Sequence, residues 1–556
     1  MNKYLILRLI DYYLRKFIFP IIILFLLNQN LFPQLKKEYS VQKNYDFEYS
    51  NLPLFFINTN GQEIVDEYRI DADMGVIYND SGKVNYLADS LNNYNGKITI
   101  ELRGSSSIAY PKKQFRIETV DSTGENLNVK LCGLPKENDW ILNGPYNDKT
   151  LLRNAISYGL SNKIGRYASR VIFVELFLNS EYQGVYLLLE TVKRDKHRVN
   201  IAENLNDISG GYIVKIDKMD GENFDMWYSN YGTPYQYHYP KANEITAKQK
   251  SYIQNYFNDF EELMFTHPEN YKNFIDDGSF VDHLILGEFT KNVDAFRLSS
   301  YLYKDRDSIN GKLFAGPIWD YNLTFGDAWN EEDMFRADGW QVNYTIDHPY
   351  DGFRVPFWWN KLFENHEFKE KFTRRWYSLR ENVLSYDSLF STIDSLVDYT
   401  AEARVRNFNK WTGIINPNNY YDEILTLKGW IIRRINWIEE NLPNITSTNE
   451  ENPTVISEFN LYQNYPNPFN PTTTIEYSIP SNVKSETSKV KLITQASVQL
   501  NIYDALGNVV KTLVNKIQRP GNYKINFDAT ALSSGVYFYQ LKTDHFIQSK
   551  KMLLLK

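Results

Sequence analysis

Along this chain the hydrophobic pattern changes period, and that change limits the folds open to it. Short runs in which apolar and polar residues alternate crowd the first half, at Lys97–Arg103, Gln114–Thr119, Val171–Leu178 and Gly184–Glu190. A period of two is that of a strand with one buried face. Repeats of three to four residues occupy Thr150–Ile164 and then, further on, Lys248–Phe265, Phe280–Thr290, Val355–Leu379 and Leu389–Arg406, predicting helices. Strands first and helices later argue for a two-lobed α+β domain rather than a repeating βαβ sheet. A chain of 556 residues exceeds one hydrophobic core, so two or three domains are expected. The large mixed domain is expected over 50–442, and the polar stretch Asn444–Asn452 before Pro453 predicts a linker over 443–457. Over 458–556 the alternation returns, at Thr472–Ser478, Val498–Tyr503, Gly521–Phe527 and Gly535–Leu541, predicting a small β-sandwich.

The N-terminus carries Lys3, Arg8, Arg15 and Lys16 ahead of an apolar run, Phe17–Leu27. That order predicts a secretory signal peptide over 1–34, cleaved near Pro33 or Gln34. The run is short for a bilayer span and is interrupted by Pro20, so no stable transmembrane span is expected. A net charge of −7 speaks against a general nucleic-acid binder, because no excess of Lys and Arg offsets phosphate. The single cysteine, Cys132, allows no internal disulfide, and the seven His residues are not clustered at ligand spacing. A metal bound here would be a hard cation on oxygen ligands.

Two polar clusters carry the candidate chemistry. In the first, Arg103-Gly104-Ser105-Ser106-Ser107 forms a small-residue turn between two strands, followed by Lys112 and Lys113. Such a turn lets backbone N–H groups approach an anion, and a following lysine can neutralise it. Strand alternation places Lys113 on the face of Phe115 and Ile117, and Lys112 on that of Arg116. In the second cluster, Asp294 and Trp319-Asp320-Tyr321-Asn322 flank a predicted hairpin that begins at Ser299–Tyr303. A hairpin brings its two ends together, so both carboxylates are expected on one side of the sheet. The turn Asp305–Gly311 has Gly316 at the twelfth position, where a calcium loop needs Glu, and reads as a plain hairpin turn.

Taken in order, Arg103–Ser107 with Lys112-Lys113, Asp139-Trp140-Ile141-Leu142, Asp148–Asn154, Gly184-Val185-Tyr186, Glu190 and Asp294 through Asp320 to Phe325-Gly326 resemble the spore-coat protein H (CotH) kinase family, a family of atypical protein kinases. The resemblance implies transfer of the ATP γ-phosphate, with Mg²⁺ or Mn²⁺, to Ser or Thr of surface or secreted proteins. It implies a phosphate loop at Arg103, Gly104, Ser105, Ser106 and Ser107, with Lys113 or Lys112 pairing the phosphates. Asp294 faces the acceptor, Asp320 and Asn322 hold the metal, and Glu190 lies near the adenine. Asp148 and Arg153 order the region opposite the lysine or form a structural ion pair. The chain departs from the family pattern at Asn322, where relatives often carry a second Asp, and at Ser299, where they carry an Asn. These departures keep open a catalytically silent surface structural or adhesive protein. A carbohydrate-active pair of carboxylates would leave the loop and lysines without a role.

The tail, with Asn464–Asn470, Tyr503-Asp504-Ala505-Leu506-Gly507-Asn508, Leu532–Phe538 and Lys550-Lys551 before Met552–Leu555, is similar to type A C-terminal sorting domains. Those immunoglobulin-like tails engage the type IX secretion machinery, which implies passage through the periplasm to the outer cell surface or medium.

Overall fold

The computed structural model describes residues 47–203, 207–218, 226–329, 333–443, 459–464, 466–480, 482–484, 490–492, 496–518, 521–543 and 546–556. The leader run Phe17–Leu27 and the linker stretch Asn444–Asn452 lie outside them. The chain divides into two compact units, up to Asn444 and from Ile445 onward. Among the described residues no helix is long and apolar enough to cross a membrane.

Beside a short pair, Tyr49–Ser50 with Asn85–Tyr86, the first unit opens with seven barrel strands: β1 Leu54–Asn58, β2 Ile70–Ile77, β3 Tyr94–Arg103, β4 Gln114–Val120, β5 Asp139–Asn143, β6 Val171–Leu178 and β7 Glu181–Glu190. They close into a barrel in the order β1-β2-β3-β4-β5-β7-β6, sealed by parallel pairing of Leu54–Ile57 with Glu175–Leu178. Every other pairing in the barrel is antiparallel. Alternate residues such as Ile98, Ile100, Phe115, Ile117, Trp140 and Leu142 fill the interior. On β7 the outward residues Val185, Leu187 and Leu189 are buried too, against the helical part, while Tyr186 and Leu188 face the barrel core. Burial on both faces explains why the run Val185–Leu189 of this strand is continuously apolar.

Helix α1, Arg153–Lys163, interrupts the barrel strands. A second sheet follows, with strands β8 Tyr212–Ile216, β9 Met226–Tyr228, β10 Pro234–Tyr239, β11 Ser300–Lys304 and β12 Leu313–Ala315 in the order β9-β10-β8-β11-β12. The longer helices are α2 Ala247–Thr266, α3 Asp277–Thr290, α4 Phe357–Glu364, α5 His366–Arg380, α6 Tyr386–Tyr399, α7 Ala401–Lys410 and α8 Tyr420–Asn441. Helix α3 is buried all round from Ser279 to Thr290, so apolar residues occupy most of its surface and its carboxylates Asp282 and Glu288 are held in ion pairs. The helix expected over Val355–Leu379 is two helices. Asn365 ends the first and caps the second, its Oδ1 accepting from the Phe368 N–H at 3.0 Å. The one expected over Leu389–Arg406 likewise breaks at Thr400.

In the second unit a three-stranded sheet, β13 Asn460–Leu461, β14 Thr472–Ile479 and β17 Gly521–Asp528, accompanies a four-stranded one. The latter runs in the order β16 Val509–Gln518, β15 Ala496–Tyr503, β18 Gly535–Lys542 and β19 Ile547–Leu554. Ile475, Tyr477, Leu500, Ile502, Tyr539 and Leu554 form their shared core.

Candidate active site

A cavity of about 990 Å³ opens between the β3–β4 turn, the end of β8, and the segments on either side of the β11–β12 hairpin. The β3–β4 ladder ends at the pair Arg103–Gln114, and the loop Arg103–Ser107 forms one wall. Gly104 has φ +113°, and a Cβ there would lie 1.9 Å from Ser107 Oγ, so glycine is needed at this turn. Arg103 is held by Gln114 Oε1 at 3.3 Å and lies over the Trp319 ring at 5.4 Å.

The hairpin register, Leu302 with Ala315 and Lys304 with Leu313, brings its two flanks together. Asp294, Asp320 and Asn322 all line the cavity, as the hairpin argument expects. Ser299 and Asp320 adopt left-handed backbone, with φ of +47° and +59°. Such conformations cost on the order of 1–3 kcal/mol each and persist where the surroundings dictate them. Here α1 does so. The Asp320 N–H donates to Tyr158 Oη at 2.9 Å, and the Tyr321 N–H donates to Asn154 Oδ1 at 2.9 Å. Arg153 donates through Nε to the Thr324 carbonyl at 2.9 Å, while its N–H donates to Asp148 Oδ2 at 2.8 Å and its Nη1 pairs with Oδ1. Asp148 and Arg153 are thus a buried ion pair at a helix start that also anchors the segment after Asp320.

Three side chains that the motifs did not single out complete the site: Asp217 and Lys218 at the end of β8, and Arg297 three residues after Asp294. Arg297 is nearly inaccessible. It donates from Nε to the Val293 carbonyl at 2.9 Å, from Nη2 to Asp294 Oδ1 at 3.0 Å and from Nη1 to Asp351 Oδ2 at 3.1 Å, with its plane over the Tyr344 ring at 4.1 Å. A stretch from Tyr344 to Phe353 supplies the outer wall. The signal for Asp217 and Lys218 was their position just past the apolar run Tyr212–Ile216, where strand ends carry functional groups. Nothing local marked Asp351, because its partner Arg297 is 54 residues away.

Burial raises the Asp294 carboxyl to about 6, with Asp320 and Asp217 adding to the rise and Arg297 and Lys218 opposing it. Asp320 opens onto the cavity but is walled by protein, and that enclosure, with Asp217, raises its carboxyl against Arg103 and Lys218. Among the described residues the charged side chains on the cavity wall are Arg103, Lys218 and Arg297 against Asp217, Asp294, Asp320, Asp347 and Asp351. Acid therefore exceeds base. Among the described residues no three His, Cys, Asp or Glu side chains group closely enough to cage a metal ion.

The expected lysines do not line this cavity. Strand β4 begins only at Gln114, so its alternation does not extend back to Lys112 and Lys113. Lys113 donates instead to the Ile108 carbonyl at 2.6 Å, closing the turn that follows the loop. Lys112 points inward and is fully buried. It donates to the Val185 carbonyl and to Asn407 Oδ1 at 2.7 Å, and burial pushes its ammonium well below the usual lysine range. It ties α7 to the barrel. Glu190 is also outside the cavity wall, its carboxylate gripped by Arg170 at 2.7 Å through both oxygens and by Arg198 at 3.4 Å.

Residues 463–555 match the model of the secretion system C-terminal sorting domain, which marks the chain for export. No curated protein matches the chain. Residues 100–438 match the CotH kinase protein model, a span that runs from the barrel strand β3 to the last helix and contains every wall of the cavity. The chain belongs to the CotH kinase family.

Proposed function

We propose that this protein is an exported atypical protein kinase that transfers the ATP γ-phosphate to Ser or Thr hydroxyls of surface or secreted proteins. The observation that carries the reading is the convergence, on one large cavity, of the Arg103–Ser107 loop, Asp294, Asp320 and Asn322 from widely separated parts of the chain. In that reading the barrel and the helical part are the two lobes of the kinase.

The residues present fit a metal–nucleotide complex. The volume is that of a small-molecule site. A wall with more acid than base repels a bare triphosphate and suits one that arrives with divalent cations. Mg²⁺ ordinarily takes one or two carboxylates and completes its shell with phosphate oxygens and water, so the absence of an all-protein cage among the described residues is compatible with it. Asp320 and the Asn322 carbonyl oxygen would hold the ion. When bound, it would neutralise charge building on the phosphates. The loop offers backbone N–H groups and serine hydroxyls, and Arg103 and Lys218 supply positive charge in place of Lys112 and Lys113. Asp294, ionised above about pH 6, accepts the proton of the acceptor hydroxyl.

A second reading, a catalytically silent surface structural or adhesive protein, is favoured by the neutral Asn322 and by the lysines' positions away from the cavity. Melting the full chain with Mg²⁺–ATP or Mn²⁺–ATP separates the two. A competent site raises the midpoint, and Asp320→Ala abolishes both the rise and phosphate incorporation into protein. No rise with either metal–nucleotide would leave the silent reading standing.

A further inference from the structure

We infer that Arg297 is a positioning residue of this site, a fork that joins Asp294 to Asp351 and thereby holds the candidate base and the outer wall in one arrangement. The inference rests on the kinase reading only for the use to which Asp294 is put; the fork itself stands on geometry. Its guanidinium is buried between the two carboxylates and uses Nε, Nη1 and Nη2 at once. The plane stacks on Tyr344, and Nη1 also reaches the Phe353 carbonyl at 3.3 Å. Tyr344 Oη donates to the same Asp351 oxygen at 3.1 Å, so the wall is pinned at both ends of a ten-residue stretch. A lysine has one point of charge and cannot make these contacts together.

Asp294 faces four charged groups: Arg297, Lys218, Asp217 and Asp320. Among the described residues only Arg297 pairs with it directly, at 3.0 Å. Two carboxylates close by and a buried position both favour protonation, so Arg297 is the chief group keeping Asp294 charged at neutral pH.

The test is a double-mutant cycle in melting temperature on the full chain, with Arg297→Gln, Asp294→Asn and the pair, at pH 8 and pH 5. At pH 8 the loss caused by Arg297→Gln should shrink when Asp294 is already Asn, a non-additivity of about 2 °C or more. At pH 5, where Asp294 is protonated, the non-additivity should largely vanish. Additive shifts at both pH values would overturn the inference. Should Arg297→Gln fail to fold, Asp294→Asn, Asp351→Asn and their pair make the cycle at pH 8, and additivity there decides against a fork that joins the two carboxylates. The wild-type chain incorporating phosphate from Mg²⁺–ATP should show a rising limb near pH 6, moved upward by at least about one pH unit in Arg297→Gln. A wild-type chain with no nucleotide response would sink the kinase reading, while the melting cycle would still decide the role of Arg297.

Discussion

Asp294 shows how a site residue works against its own fold. Its carboxyl titrates near 6 in the folded chain and near the usual ~3.9 when unfolded. Between those values the folded chain binds the extra proton, so this group's contribution to stability falls as pH rises from about 4 through 6. The side chain keeps about a quarter of its accessibility, which tempers the effect to roughly 1–2 kcal/mol. The melting advantage of Asp294→Asn over wild type should therefore grow between pH 4 and pH 8. A gap that stays constant with pH would show that Asp294 is not buried at a cost. The neighbouring left-handed residues, Ser299 and Asp320, fit the same pattern of local strain gathered at one cavity.

Elements far from the cavity set its walls. Helix α8 sends Arg434 into the core, where Nε donates to the Glu288 carbonyl at 2.8 Å and Nη2 to Glu288 Oε2 at 3.0 Å. Nη1 reaches the carbonyls of Ala337 and Gly339 at 2.9 and 2.7 Å. The Glu288 carboxylate also accepts the N–H groups of Gln341 and Val342, both at 2.7 Å. One ion pair thus fixes α3 and the chain leading to Tyr344. Both side chains are wholly inaccessible, so Arg434→Leu leaves an unpaired buried carboxylate and should lower unfolding stability by about 3–5 kcal/mol in urea. Replacing Glu288 by Leu as well should recover part of that loss. A loss under about 1 kcal/mol in the single variant would contradict the account. The helix breaks at Asn365 and Thr400 belong to this scale too. A continuous 3.6-residue pattern can span two helices that both face one core, and periodicity alone does not show the corner between them.

At the scale of the molecule, each unit has its own core: the barrel and helical clusters in the first, the core between the two sheets in the second. A chain truncated after Asn444 keeps the first core entire and should fold, but without the sorting domain it should stay inside the cell. Fractionation with an antiserum to the first unit checks this, and equal amounts of truncated and full-length protein outside the cell would contradict it.

Legible in the sequence were the early strands and later helices, the return to strands in the tail, and the meeting of Asp294 with Asp320. These follow from local periodicity and from a hairpin whose ends must coincide. Not legible there were the barrel strands β1, β2 and β5, the strands β8 to β10, and the 22-residue α8, whose buried Arg434 and Lys428 blur the apolar stripe. Only the tertiary structure closed the barrel, because β1 pairs with β6 across more than a hundred residues. Only it showed that Lys112 is a buried tie to α7 and Lys113 a turn closure, since strand alternation holds only within the ladder that begins at Gln114. Arg103 was legible as part of the loop, but that Lys218 and Arg297 join it on the cavity wall was decided by which distant segments pack together, and local sequence carries no record of that.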